Sequence, residues 1–87
     1  MPYVYMVKDN KNRLYVGVSL NPDQRLKDHN HKHGAEFTAK GSFQIVFKEE
    51  YDTLSEARKR EIQIKKWRRD KKENLINLYS RGLPTKK

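Results

Sequence analysis

One carboxylate in this sequence stands where an apolar residue is expected. On a helical wheel at about 100° per residue, Leu54, Ala57, Ile62 and Ile64 define a broad apolar arc, and Glu61 falls near its middle. A carboxylate there is expensive to desolvate unless it is paired or binds a metal. Two readings stay open from the pattern alone. Glu61 forms a salt bridge with one of its many basic neighbours, or it is a metal ligand at the rim of a cleft. A hard cation such as Mg²⁺ accepts a single protein carboxylate together with waters and substrate phosphate. The other face of the same helix is densely basic, with Arg58, Lys59, Arg60, Lys65, Lys66, Arg68, Arg69, Lys71 and Lys72 surrounding Trp67. Such a stripe can grip phosphates while the aromatic ring stacks on an unpaired base. The alternative is a solvated face with Trp67 half buried as a core anchor.

The whole chain shares this charge. Its 87 residues carry 20 Lys+Arg against 11 Asp+Glu, a formal charge of +9. That surplus points to a polyanion: nucleic acid, an anionic membrane or an acidic protein. The length makes one domain, residues 1–82, with a frayed tail at 83–87. The absence of Cys removes disulfide frameworks, cysteine zinc sites and thiol nucleophiles together. Five Tyr, three Phe and one Trp still argue for a packed core despite 36% charged residues. No apolar run approaches the roughly 20 residues a membrane span needs. The first residues lack the basic flank and long apolar stretch of a signal peptide. The expectation is a cytoplasmic protein, nucleoid-associated at most, with no membrane contact.

The elements that must position these residues read in order along the chain. Residues 3–8 and 13–18 are β-branched and aromatic runs around the turn residues Asp9-Asn10-Lys11-Asn12, which predicts a β-hairpin. Both runs are nearly apolar throughout, which predicts a sheet covered on both faces. Asn21-Pro22-Asp23-Gln24 opens a helix that runs to about residue 31, with Asn21 as cap and Gln24 completing the box. Residues 34–42 read as a loop and 43–48 as a third strand. Thr53 and Glu56 open a helix to about residue 70, and a short helix follows over about 71–80, stopped by Gly82 and Pro84. The fold class is α+β, a small three-stranded antiparallel sheet flanked by helices in the order β-β-α-β-α-α.

Set on these elements, the residues resemble the GIY-YIG nucleases. Tyr3-Val4-Tyr5 and, after nine intervening residues, Tyr15-Val16-Gly17 are similar to the family's paired motifs. Arg25 and His29 resemble its Arg-x-x-x-His helix signature. Gly34-Ala35-Glu36-Phe37-Thr38 is similar to a loop of its small stand-alone bacterial members, with Glu36 where a Lys is frequent. Glu56-Ala57-Arg58-Lys59-Arg60-Glu61, with Ile64-Lys65-Lys66-Trp67, resembles the helix that carries the family's metal-binding glutamate. The resemblance spans about residues 3–77 and implies a single-metal DNA endonuclease on the GIY-YIG fold.

It also implies roles. Tyr5 or Tyr15 activates or orients the attacking water. Arg25 binds the scissile phosphate, and His29 helps activate the nucleophile or orient Tyr5. Glu61 holds Mg²⁺ or Mn²⁺. Asn74 is the weaker candidate for the family's Asn beyond the glutamate, and Asn77 also lies near that place. Elementary chemistry agrees, because phosphodiester cleavage needs a nucleophile activator, an electrophile on the non-bridging oxygens and help for the departing alkoxide. Arg25 and His29, four apart, are neighbours on one helix face. The basic residues Arg58, Lys65, Lys66, Arg68 and Arg69, with Trp67, are the expected nucleic-acid contacts.

One geometric condition follows. A hairpin loop of residues 9–12 would set Tyr5 opposite Val16 and put the two tyrosines on opposite faces. A shared site needs an odd-length loop, most simply pairing Val7 with Arg13, or a bulge. The expected function is divalent-metal-dependent hydrolysis of DNA, selective for branched or single-stranded forms, in repair or recombination. A protein partner can supply specificity. The alternative is a non-catalytic nucleic-acid-binding module that retains the fold.

Overall fold

The computed structural model describes residues 1–32 and 43–86, with side chains for 1–27 and 43–86. The elements are β1 (Tyr3–Lys8), β2 (Leu14–Ser19), α1 (Pro22–Lys32), β3 (Gln44–Glu50), α2 (Leu54–Lys65) and α3 (Arg69–Ser80). The sheet is antiparallel in the order β2-β1-β3, so the first strand is central. The expected loop over 34–42, including Glu36, lies outside the described residues.

The hairpin meets the face condition with a different closing pair. Val7 pairs with Tyr15 rather than Arg13, Tyr5 with Gly17, and Lys8 with Leu14. The loop is therefore residues 9–13, an odd number. Asn12 takes φ 67° within it, a left-handed conformation that Asn tolerates. Alternation then sorts the strands into two faces. Val4, Met6, Val16, Val18 and Phe47 share one face, while Tyr5, Tyr15, Gly17 and Lys48 share the other. A register shift against β3 between Met6 and Val7 leaves Val46 as the extra residue.

Helices cover both faces, as the nearly apolar strands predict. The first face meets α2 and α3, and the core is Val4, Met6, Phe47, Ala57, Ile64 and Leu75. Phe47, Met6, Ile64 and Val4 are fully buried, each burial stabilising by about 1.5–3 kcal/mol. The second face meets α1, which packs on β2 and β3. Lys48 of β3 reaches Asp23 of α1 at 3.3 Å.

The helices depart from the sequence reading at one place. α2 ends at Lys65, not near residue 70, and α3 begins at Arg69, not 71. The amides of Lys66 and Trp67 bond back to Gln63 (3.2 Å) and Ile64 (3.0 Å), which tightens the last turn, and Arg68 is extended. The break lets Trp67 pack against the core and folds α3 onto β3. Leu75 is then buried, and Tyr79 meets Phe47 edge-on at 5.8 Å. A straight helix would carry Leu75 away from the sheet. Gly82, at φ 70°, ends α3 where the sequence places a stop. Beyond it, Thr85 accepts from Arg60 at 3.2 Å and Lys86 donates to the carbonyl of Glu50. Among the described residues no helix is long and apolar enough to cross a membrane.

Candidate active site

A cleft of about 710 Å³ opens between the second sheet face and α1. Tyr5 enters it from β1, Tyr15 from β2 and Arg25 from α1, with Val7, Leu26 and Phe43 among its apolar walls. Tyr5 and Tyr15 are diagonal neighbours on one face, a spacing that aromatic side chains bridge.

Each of the three is held by its own element. Tyr5 lies across Gly17, its cross-strand partner. A Cβ added at Gly17 would meet the Tyr5 hydroxyl at 2.8 Å and Cζ at 2.9 Å. The glycine of the Tyr-Val-Gly run therefore makes room for the Tyr5 ring. Tyr15 packs edge-on against Phe43, with centroids 5.8 Å apart. Arg25 sits in the first turn of α1, where the chain start is well specified. Asn21 Oδ1 accepts from the amide of Gln24 at 3.2 Å, and the carbonyl of Asn21 accepts from the amide of Arg25 at 3.1 Å. Arg25 is exposed, with no ion pair to another described residue, so its guanidinium is available to an anion.

Sequence reasoning treated Asp9 as a turn residue, and the structure gives it a partner in the cleft. Its carboxylate is buried, and Oδ2 accepts from the Tyr15 hydroxyl at 3.2 Å. Burial pushes the Asp9 carboxyl up. The Arg13 amide and guanidinium and the Lys11 amide outweigh that and hold it at about 2. An Asp followed two and four residues later by the amides it captures is an Asx-type turn signal. The contact with Tyr15 has no such local signature.

Among the described side chains, none of the remaining candidates lines this cleft. His29 is on α1, and its side chain lies outside the described residues. Glu61 is on α2, in the layer that packs against the other sheet face, and it does not line the cleft. The apolar arc predicted around it is narrower in the structure. Ala57 and Ile64 are buried, but Leu54 and Ile62 are exposed. The inward stripe thus runs Ala57, Arg60, Glu61, Ile64, with two charges on it. Arg60 is answered by Glu49 of β3, 4% exposed, through bonds of 3.0 and 3.2 Å. Glu61, its side chain 16% exposed, pairs only with Lys65 at 3.2 Å among the described residues.

Asn74 lines a separate groove between α2, α3 and the tail, with Arg60, Trp67 and Lys71. Trp67 is half buried against the core, with Lys71 at 4.4 Å and Arg60 at 5.1 Å from its ring centre. Arg58, Lys65, Lys66, Arg68 and Arg69 are exposed.

Residues 1–74 match the family model described as the GIY-YIG catalytic domain. The chain belongs to the GIY-YIG family. It is 41% identical to a UPF0213 protein of Staphylococcus saprophyticus over 76 residues, 86% of this chain and 93% of that one. A UPF0213 protein of Staphylococcus aureus is 40% identical over 75 residues, 85% of this chain and 92% of the relative. The solution NMR structure of a UPF0213 protein from Bacillus halodurans superposes with a TM-score of 0.59 at 32% identity, covering 90% of this chain and 85% of that chain. In GIY-YIG terms, the first motif is β1 and the second is β2. The register that pairs Tyr5 with Gly17 is what brings the two motifs' tyrosines to one face.

A metal fits the described residues of this GIY-YIG domain in one form. Among the described residues, no three His, Cys, Asp or Glu side chains gather into a cage. A hard cation held by one carboxylate, waters and phosphate oxygens needs no cage. Glu61, a largely buried carboxylate answered by a single flexible lysine, has the donor chemistry for it.

Proposed function

We propose that this chain is a divalent-metal-dependent DNA endonuclease that hydrolyses phosphodiester bonds. The observation that supports this is the convergence of Tyr5, Tyr15 and Arg25, from three elements, on one cleft. The tyrosine hydroxyls sit on one face, where they orient an attacking water. Arg25, exposed at the rim, binds the scissile phosphate and offsets the charge that develops on its non-bridging oxygens. His29, one turn further along α1, assists at the nucleophile. Glu61, which stands outside the cleft wall, would hold Mg²⁺ or Mn²⁺, and that metal when bound supplies charge stabilisation at a phosphate oxygen.

DNA is the substrate in this reading. Arg58, Lys65, Lys66, Arg68 and Arg69 contact its backbone, and Trp67 adds an aromatic edge to that basic face. Trp67, flanked by Lys71 and Arg60, supports a preference for branched or single-stranded DNA, whose unpaired bases can stack on an aromatic ring. The setting is cytoplasmic DNA repair or recombination, with a protein partner supplying further specificity.

The test is cleavage of labelled duplex, single-stranded and branched DNA with Mg²⁺, Mn²⁺ or EDTA, beside Glu61→Ala. Cleavage that needs both metal and Glu61 is the expected result. Salt-sensitive binding with no metal-dependent cleavage identifies a non-catalytic binding module instead. Equal cutting of plain duplex and branched DNA overturns the structure selectivity.

A further inference from the structure

The two oxygens of the Asp9 carboxylate do different work. Oδ1 accepts from the amides of Lys11 and Arg13, each at 2.9 Å, and so closes the hairpin loop. Oδ2 accepts from Arg13 Nε at 2.7 Å and from the Tyr15 hydroxyl at 3.2 Å. Asp9 is 7% exposed, and its loop amides pin it in place. Tyr15, 42% exposed, lines the cleft. One end of the Tyr15 hydroxyl thus meets a fixed carboxylate while the other meets the space where substrate would lie.

A phenol has one proton and can also accept. A carboxylate only accepts, so the Tyr15 proton points at Asp9 and the oxygen lone pairs face the cleft. We propose that Asp9 is a positioning residue, which fixes the Tyr15 hydroxyl as a hydrogen-bond acceptor toward the cleft. A water that donates one O–H to Tyr15 then has its own lone pair free for the phosphorus. This rests on the nuclease reading above. No proton changes owner in this step. Asp9 sets direction, and the chemistry belongs to the groups that touch the water.

Asp9→Asn separates the two jobs. Its carbonyl oxygen still serves the loop amides, but an NH₂ replaces Oδ2 and gives up the bond from Arg13 Nε as well. That group donates to Tyr15 and turns the hydroxyl proton into the cleft. The experiment measures cleavage kinetics and the ¹³Cζ resonance of Tyr15 in wild type, Asp9→Asn, Tyr15→Phe and the double variant. The expected result is a shifted Tyr15 resonance in Asp9→Asn, with kcat lowered at least about tenfold at unchanged KM. Asp9→Asn has no further effect in the Tyr15→Phe background, a non-additivity that a purely structural loop role would not produce. Tyr15→Phe reads the same link from the other side, at the Asp9 ¹³Cγ resonance, and serves even where Asp9→Asn does not fold. Losses that multiply in the double variant overturn the proposal, as does either resonance staying put. A wild type that cleaves no DNA overturns the nuclease reading instead. The resonances report on the Asp9–Tyr15 link whatever the cleavage result.

Discussion

The Tyr5 hydroxyl occupies the space that a side chain at residue 17 would fill. An added Cβ at Gly17 would lie 2.8 Å from that oxygen and 3.2 Å from Tyr5 Cε1. The near atoms belong to the far end of a side chain, so the ring can swing away without moving backbone. Gly17→Ala is therefore expected to change stability by no more than about 1 kcal/mol, since relief of chain entropy offsets the contact. The displaced hydroxyl lowers kcat at least about tenfold. Thermal melts beside cleavage assays check this, and a large loss of stability with intact activity would contradict it.

Arg25 has no ion pair among the described residues and stands exposed at the cleft, so its removal touches the site and not the fold. Arg25→Ala should melt with the wild type and lose about 10²–10³ in kcat. Arg25→Lys should recover little of it, because a point charge does not reproduce the planar fork of a guanidinium on a phosphate. Restoration by Lys would show that only net charge matters there.

Arg60 and Arg58 are two residues apart in one basic run and should behave oppositely. Arg60 answers the buried Glu49, whose side chain is 1% exposed, and Glu49 also accepts from Tyr51 at 2.8 Å. Burial, then the bond and charge of Glu49, push the Tyr51 phenol well above its usual range, so it remains a donor. Arg60→Ala strands a buried carboxylate and should cost about 3 kcal/mol, a fall in Tm of about 10 °C or more. Arg58→Ala, fully on the exposed side, should stay within about 0.5 kcal/mol while weakening DNA binding and its salt dependence. Chemical denaturation and salt titrations separate the two.

Asp9 ties the fold to pH. Its folded carboxyl sits at about 2, below the ordinary value of about 3.9. A depressed value means that the ionised form is favoured by folding. The stability it contributes is thus fully present above about pH 4 and is lost as the pH falls through the folded value near 2. Denaturation midpoints followed by circular dichroism should show the wild type more stable than Asp9→Asn at neutral pH, with the gap closing between about pH 4 and pH 2. A gap that does not depend on pH would mean that the carboxylate's charge is not what stabilises the loop.

Much of this molecule was legible in the chain because its signals are local. Runs of β-branched and aromatic residues specify the strands, Asn21 and Thr53 cap their helices, and Gly82 stops the last one. The spacing of Tyr5 and Tyr15 already required an odd-length loop if the two were to share a face, and the register supplies it. The family motifs are likewise short runs of sequence, and they marked Tyr5, Tyr15 and Arg25 before any of them met in space.

Other features depended on which elements lie side by side, and no local pattern encodes that. The helical wheel put Glu61 in an apolar arc and Arg60 on the opposite, basic face, whereas Arg60 turns inward and finds a buried partner. That depended on Glu49, a β3 residue brought to the same face by strand pairing. The break at 66–68 follows from Trp67 and Leu75 both reaching one small core, a demand that helix propensity does not express. Asn74 was separated from the tyrosines by the side of the sheet on which α3 packs. Asp9 read as a turn residue because its bonds to the Lys11 and Arg13 amides are local. Its bond to Tyr15 arises only when the hairpin closes and the start of β2 folds back beside the end of β1. The chain by itself determined the strands, the helix starts, the element order and the family motifs. Tertiary packing decided which charges are neutralised, which remain open to a substrate, and which way the Tyr15 hydroxyl points.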